Sequence, residues 1–314
     1  MTLVDWLRQI HQNKQDYSTA FAFKQAFHEL YLGLLRRGQS VLNRGEPHWS
    51  GDWDVLLVLD TCRPDVLREV ATTGQFDWLP EPREHSTWMS AGTTSDEWLA
   101  VMFDPEFDSE LASSTYITGN GFSQGYDTDR LALYDFVTAR PLGDGLTAVP
   151  PDILTDKAID AWRKRGEIGA DQLIVHYMQP HTPFRSKPEW FSKGHSDKAT
   201  WGEGFTELRD GNLDSKEFYD AYKDNLVWVL ESIERLVNNC DADIVITADH
   251  GNGFGEGFVY GHPEGLPCKT VREVPWVELS GVDEGSYQPV HTVLDSKEIS
   301  EEELEEHLRS LGYR

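Results

Sequence analysis

The chain has 314 residues, 39% of them hydrophobic, and its 54 acidic and 28 basic side chains give a formal charge of −26. That length supports one large domain or two ordinary ones. No basic stripe is present to neutralise phosphates, which excludes nucleic acid as a partner.

Residues 16–42 carry Phe23, Phe27, Leu30, Tyr31 and Leu34 at helical spacing, weakened at Gly33, and predict an amphipathic helix. We expect an N-terminal helical extension over 1–48 and a main domain over 49–314. Residues 53–61, WDVLLVLDT, predict a strand buried on both faces, since VLLVL is continuous rather than alternating. A helix should follow from Arg63 to Val70, with Pro64 in its first turn. Strands are expected at 114–119, 171–178, 242–249 and 271–280, with Pro275 marking an edge or a strand start. Helices are expected from Ser95 to Phe103 and at 153–165, 215–239 and 298–312. This alternation predicts an α/β fold, a mainly parallel central sheet with helices on both faces. Two long loops, 180–214 and 252–270, follow strands, where sites gather in such sheets.

Acids run along the whole chain, densest at 298–307, and we read a halophilic type of surface, soluble where salt screens self-repulsion. Cys62, Cys240 and Cys268 lack metal spacing and fit a reducing compartment. The first residues lack the apolar run of a signal peptide, and no stretch reaches ~18 apolar residues. A cytoplasmic location without a transmembrane segment is expected.

Two of the buried strands end in acid: VLLVLD at Asp60 and IVITAD at Asp249, with His250 next. Carboxylate and imidazole make a good set of ligands for a divalent cation, Zn or Mn first and Ca or Mg as alternatives. The glycines of GNGFGEG (251–257) would let the backbone turn beside such an ion. Thr94 stands three residues before Glu97, the spacing of a capping box, which puts its hydroxyl at a helix N-terminus where negative charge is favoured. Beside a metal, that hydroxyl becomes an activated nucleophile facing a phosphate or sulfate. His181, between prolines and near Arg185 and Lys187, suggests an oxyanion-binding cluster. His176, inside its strand, reads as a core histidine, and His262 lies twelve residues past His250 in the second long loop. Trp190, Phe191, Trp201 and Phe205 read as packing aromatics, with stacking on a sugar as the alternative.

Taken together, VLDTCRPDVL (58–67), GTTSDEW (92–98), PHTPF (180–184), ITADHG (246–251) and YGHP (260–263) with REVPW (272–276) resemble the alkaline phosphatase/sulfatase superfamily in composition and order over roughly 52–280. The resemblance implies metal ligation by Asp60, Thr94, Asp249 and His250, a nucleophile at Thr94, with Thr93 as the alternative register, and catalytic or substrate-binding roles for His181 and His262. One metal ion is favoured over two, because Thr61 and Gln179 stand where two-metal relatives carry acids. CRPDV (62–66) mimics a sulfatase signature but ends in Val66 instead of arginine, and threonine cannot become formylglycine. The nucleophile region most resembles lipoteichoic acid synthase-type phosphoglycerol transferases. The implied activity is metal-dependent hydrolysis or transfer of a phosphate ester, of a small molecule, glycan or lipid head group. The alternatives are a sulfatase and a catalytically silent anion-binding protein.

Overall fold

The run Val55–Leu59 has nowhere to put a polar face: all five residues are buried. It forms β1, the middle strand of a seven-stranded sheet. The computed structural model describes residues 27–28, 30–36, 45–143, 145–190 and 202–293. The chain divides into two compact units, Met1–Arg44 with Gly265–Cys268, and Gly45–Glu264 with Lys269–Arg314. In the first, residues 27–28 and 30–36 are helical, inside the predicted 16–42 segment. Phe23, Phe191, Trp201 and the predicted 298–312 helix lie outside the described residues.

The second unit holds the sheet. After β1 come α1 (Pro64–Ala71), β2 (Ser86–Met89), α2 (Ser95–Met102), β3 (Ser114–Thr118), β4 (Leu133–Phe136), α3 (Pro151–Arg163), β5 (Gln172–Tyr177), α4 (Ser215–Val237), β6 (Asp243–Thr247) and β7 (Glu273–Ser280). In space the strands run β2-β7-β6-β1-β5-β3-β4. β1 is parallel to β5 and β6, and β3 is parallel to β5 and β4, while β7 is antiparallel to β6 and β2. The expected α/β class is therefore observed. β2 and β4 escape the sequence reading because they are short, with half-buried and exposed residues rather than an apolar run. Pro275 fits its expectation locally: it lies where β7 pairs only with β2, before the ladder with β6 begins at Val277. Proline can sit there because the side facing away from β2 needs no amide donor.

Strand parity divides the core into two layers. Val55, Leu57 and Leu59 of β1, with Ile244 and Ile246 of β6, meet residues of α1, α3 and α4. Leu56 and Val58, with Ile174 of β5 and Val245 of β6, meet Trp98, Leu99 and Met102 of α2. Both faces are thus covered, as a parallel sheet requires. Trp190 and Phe205 pack on Phe218 of α4, with ring centroids 5.8 and 5.0 Å apart, the packing alternative of the sequence reading.

His48 closes the α2 layer. It is fully buried. Trp98 Nε1 donates to His48 Nδ1 at 2.9 Å, and an indole N–H can only donate. The proton of the neutral ring is therefore on Nε2, 3.2 Å from the Thr247 hydroxyl. Burial pushes the imidazole down to about 3, against the opposing influence of Asp249. The unfolded chain takes up a proton near pH 6.5, and the folded chain resists it until about pH 3. Stability present above pH 6.5 should fall as pH drops through that window. His48→Gln keeps a donor and an acceptor but cannot titrate. Its stability should decline less steeply between pH 6.5 and 4 than the wild type's, by an amount on the order of 1–3 kcal/mol. Chemical denaturation at several pH values measures this, and parallel slopes would contradict it.

Candidate active site

The two metal-grade acids stand at the carboxyl ends of neighbouring parallel strands. Val58 of β1 is in register with Thr247 of β6 and with His176 of β5. Counting by two from Val58, Thr247 and Ile174 carries Asp60, Asp249 and His176 to the α2 side of the sheet. All three are fully buried. One ligand atom from each lies within 4.8 Å of the others. His250 Nε2 completes the group, 3.4 Å from Asp249 Oδ2 and 3.8 Å from Asp60 Oδ1.

His176 therefore corrects the core reading. It sits in the cluster, its Nε2 3.5 Å from Asp249 Oδ2 and its Nδ1 2.9 Å from the Tyr116 hydroxyl. The parity rule that brings Ile174 to the α2 layer was the sequence signal for it.

Asp249 is held from several directions. Its Oδ1 accepts from the amides of Thr61 (3.1 Å) and His250 (2.8 Å), and its Oδ2 accepts from the Ser95 hydroxyl (2.6 Å). Burial opposes its ionisation, but His250, His176 and Ser95 prevail and hold the carboxyl well below the ordinary range. The Thr61 amide reaches Asp249 from a left-handed backbone, φ 67°, an uncommon conformation for a β-branched residue. Asn120 Nδ2 donates to Asp60 Oδ2 at 3.3 Å.

The neutral histidine tautomers can be read from carbonyls, which only accept. His250 Nδ1 is 2.9 Å from the Gly251 carbonyl, so Nδ1 carries a proton and Nε2 is the nitrogen turned to the two acids. That buried Nε2 has no hydrogen-bond partner and faces two carboxylates. Carboxylate oxygens of Asp60 and Asp249 and an imidazole nitrogen of His250, converging where all three residues are fully buried, form a donor set that suits a divalent cation. Asp60, Asp249 and His250 thus fit the expected ion.

The loops supply two further imidazoles. The His181 amide donates to the Asp60 carbonyl at 3.2 Å, and Asn225 of α4 donates to the His181 and Pro183 carbonyls at 3.0 and 2.8 Å. His181 Nδ1 is 2.9 Å from the Thr182 carbonyl, and burial pushes this histidine down to about 4. The His262 ring lies 4.4 Å from that of His250 and 5.5 Å from that of His181. His262 is half-buried as a residue, but its Nδ1 is shielded from water. Burial, then His250 and His181, lower its pKa well below the ordinary value.

Thr94 caps α2: its hydroxyl accepts from the Glu97 amide at 3.2 Å. The reciprocal half of the expected capping box is displaced by one residue. Glu97 Oε2 takes the Thr93 amide (2.8 Å) and the Thr93 hydroxyl (2.7 Å) instead. Thr93 is buried and engaged, whereas Thr94 is partly open. Ser95, which the sequence reading did not single out, is the hydroxyl of this loop that touches the Asp249 carboxylate.

One expectation changes and two readings are sharpened. Arg185 and Lys187 make no oxyanion cluster: Arg185 pairs with Asp224 and Glu231, and Lys187 with Glu217. Those acids lie on α4, and the sequence offered no sign of the pairing. Cys62 is fully buried, and burial pushes its thiol well above the ordinary range, so the sulfatase-like CRPDV is no nucleophile site. Within GNGFGEG, Gly255 (φ 116°) and Gly257 (φ 55°) take the left-handed backbone of a turn, whereas Gly251 serves close backbone approach: a Cβ there would lie 2.4 Å from the Thr270 carbonyl oxygen.

No protein-family model and no curated protein matches the chain. Among solved structures it is similar to the C-terminal periplasmic domain of phosphoethanolamine transferase EptC from Campylobacter jejuni, at 15% identity over 72% of this chain and 78% of that one, TM-score 0.45. It is similar to the soluble domain of lipooligosaccharide phosphoethanolamine transferase A from Neisseria meningitidis, at 15% identity over 72% and 75%, TM-score 0.44. It is also similar to the EptC domain from Escherichia coli in complex with Zn, at 11% identity over 74% and 75%, TM-score 0.43. At such partial overlap the chemistry has to be read from the side chains.

A ligand that binds only the folded state raises its stability by about 2.7 kcal/mol at 100 times its Kd. Zn or Mn added at that level should raise the Tm of the wild-type chain accordingly. Asp249→Asn and His250→Ala should abolish the shift. An undiminished shift in both would place the ion elsewhere.

Proposed function

We propose that the chain is a metal-dependent phosphoric ester hydrolase or transferase that works through Thr94. The observation that carries this reading is the buried His250 Nε2, without a hydrogen-bond partner and facing Asp60 and Asp249 beside the N-terminus of α2. Asp60, Asp249 and His250 would hold the ion, with Thr94 as the ligand that reacts. When bound, a divalent cation there supplies polarisation of a phosphoryl oxygen and a lowered hydroxyl pKa.

The remaining chemistry belongs to the chain. The Thr94 oxygen attacks phosphorus, the new O–P bond forms in line, and the P–O bond to the leaving alcohol breaks. The first-turn amides of α2 stabilise charge on the non-bridging oxygens. His181 and His262, grouped with His250, are the imidazoles that would carry the proton: one takes it from Thr94 and returns it to the leaving alkoxide. Water or an acceptor alcohol then attacks the phosphothreonine and restores the hydroxyl. The buried, engaged Thr93 favours Thr94 as the attacking residue.

The ion pairing of Arg185 and Lys187 favours a diester within this class. A monoester dianion calls for charge-matched forks, and these two cations are committed to acids of α4. A diester carries a single negative charge and asks for less. No helix among the described residues is long and apolar enough to cross a membrane. The free, buried Cys62 and Cys240 support the cytoplasmic setting that we keep for this chain.

Thr94→Ala with its metal retained should lose on the order of 10³-fold or more in kcat on an aryl phosphodiester, while Thr93→Ala keeps turnover. Undiminished turnover by Thr94→Ala would refute the assignment. Aryl sulfate and phosphate monoester run in parallel separate the sulfatase alternative. Metal occupancy without turnover of any ester would favour the silent binding protein.

A further inference from the structure

The loop from Ser90 to Ser95 is stitched to Asp249 twice. The Ser90 hydroxyl donates to the Asp249 main-chain carbonyl, and the Ser95 hydroxyl donates to Oδ2 of the same residue at 2.6 Å. Ser90 also accepts from the Gly92 amide at 3.2 Å, and its carbonyl receives the Arg272 guanidinium through Nη2 at 2.6 Å. Gly92 allows the tight path between the two serines, because a Cβ there would lie 2.5 Å from the Trp98 amide nitrogen and 2.9 Å from the Thr94 carbonyl oxygen. Thr94 thus sits between two residues fixed on one acid.

A serine in the first turn of a helix ordinarily faces water or helps to cap its own helix. Ser95 does neither. It is 1% exposed, and its single proton crosses to a carboxylate 154 residues away in sequence.

The acceptor capacity of Asp249 makes this consequential. An ionised carboxylate has about four lone-pair positions, two on each oxygen. The Thr61 and His250 amides occupy those of Oδ1, and Ser95 occupies one on Oδ2. The position left on Oδ2 is on the atom that both His250 Nε2 and His176 Nε2 approach, at 3.4 and 3.5 Å. Asp249 can then offer a cation one oxygen in one direction. Without Ser95, the carboxylate could swing or bind through both oxygens.

We infer that Ser95 is a positioning residue that makes Asp249 a single-oxygen ligand and holds Thr94 in register with it. This rests on the metal-dependent reading above and adds to it a residue that touches neither substrate nor ion. Groups that orient a metal-ligating side chain typically contribute 10–100-fold to affinity or activity when removed.

The test uses the full chain, with Zn and Mn as the probes, titrated calorimetrically or against a chelating dye. Ser95→Ala should bind the ion about 10- to 100-fold more weakly than wild type. The Tm of its metal-free form should stay close to that of wild type, and at saturating metal its kcat should fall while KM holds. Ser95→Thr returns the hydroxyl and should recover part of the affinity; if Ser95→Ala does not fold, Ser95→Cys, similar in size but a weak donor, must show the same loss. Wild-type affinity in Ser95→Ala overturns the inference while leaving the metal reading intact. A loss of affinity no larger than the loss of metal-free stability makes Ser95 merely structural and also overturns it. A wild-type chain that binds neither ion overturns the metal reading and this inference with it.

Discussion

Two carboxylates share one dry pocket at the ends of two neighbouring parallel strands. Ionised acids so placed repel each other and lose their hydration, which is costly unless positive charge or hydrogen-bond donors replace the water. The surroundings of Asp60 and Asp249 answer that cost in detail. Two amides, a hydroxyl and an imidazole turn to Asp249, and Asn120 turns to Asp60. His250 turns Nδ1 to the Gly251 carbonyl and Nε2 to the two acids. A divalent cation held by these three residues would offset the remaining repulsion.

The same constraint explains how distant segments are tied together. The turn after β1 is fixed to Asp249 through the Thr61 amide and to α4 through the Tyr222 hydroxyl, which donates to the Thr61 carbonyl at 2.8 Å. The His181 loop hangs from the Asp60 carbonyl and from Asn225 of the same helix. The Ser90–Ser95 loop is fixed to Asp249 directly. Each loop is held by the backbone or side chain of an acid at the centre, so the geometry of the pocket and the paths of the loops are one problem with one solution. Among the basic side chains, Arg272 helps by holding the Ser90 carbonyl, whereas Arg63 pairs with Asp65 and Glu256, and Arg185 and Lys187 pair with α4.

Much of this was legible in the residues. Continuous apolar runs ending in acid announce buried parallel strands and place Asp60 and Asp249 together, because both follow from strand period and sheet class. Thr94 as a helix cap was legible for the same local reason. The rest depends on side chains meeting across the fold. His176 could have been found by extending the parity of Ile174 once the strand was assigned, but its partner Tyr116 lies on β3 and is joined to it only by sheet order. Ser95 looked like any first-turn serine, since nothing in GTTSDEW says which hydroxyl faces the acid. Arg185 and Lys187 beside His181 suggested an anion site, and only the course of α4 shows their charges already matched. β2 and β4 were missed because short, partly exposed strands carry no apolar run.

The most direct test of the pocket's purpose is anomalous diffraction from crystals of the full chain grown with Zn. A single peak bonded at about 2.0–2.2 Å to Asp60, to one oxygen of Asp249 and to His250 Nε2, with the Thr94 hydroxyl turned toward it, is the result this account requires. A pocket that stays dark while Zn scatters elsewhere, or an ion held without either aspartate, would contradict it.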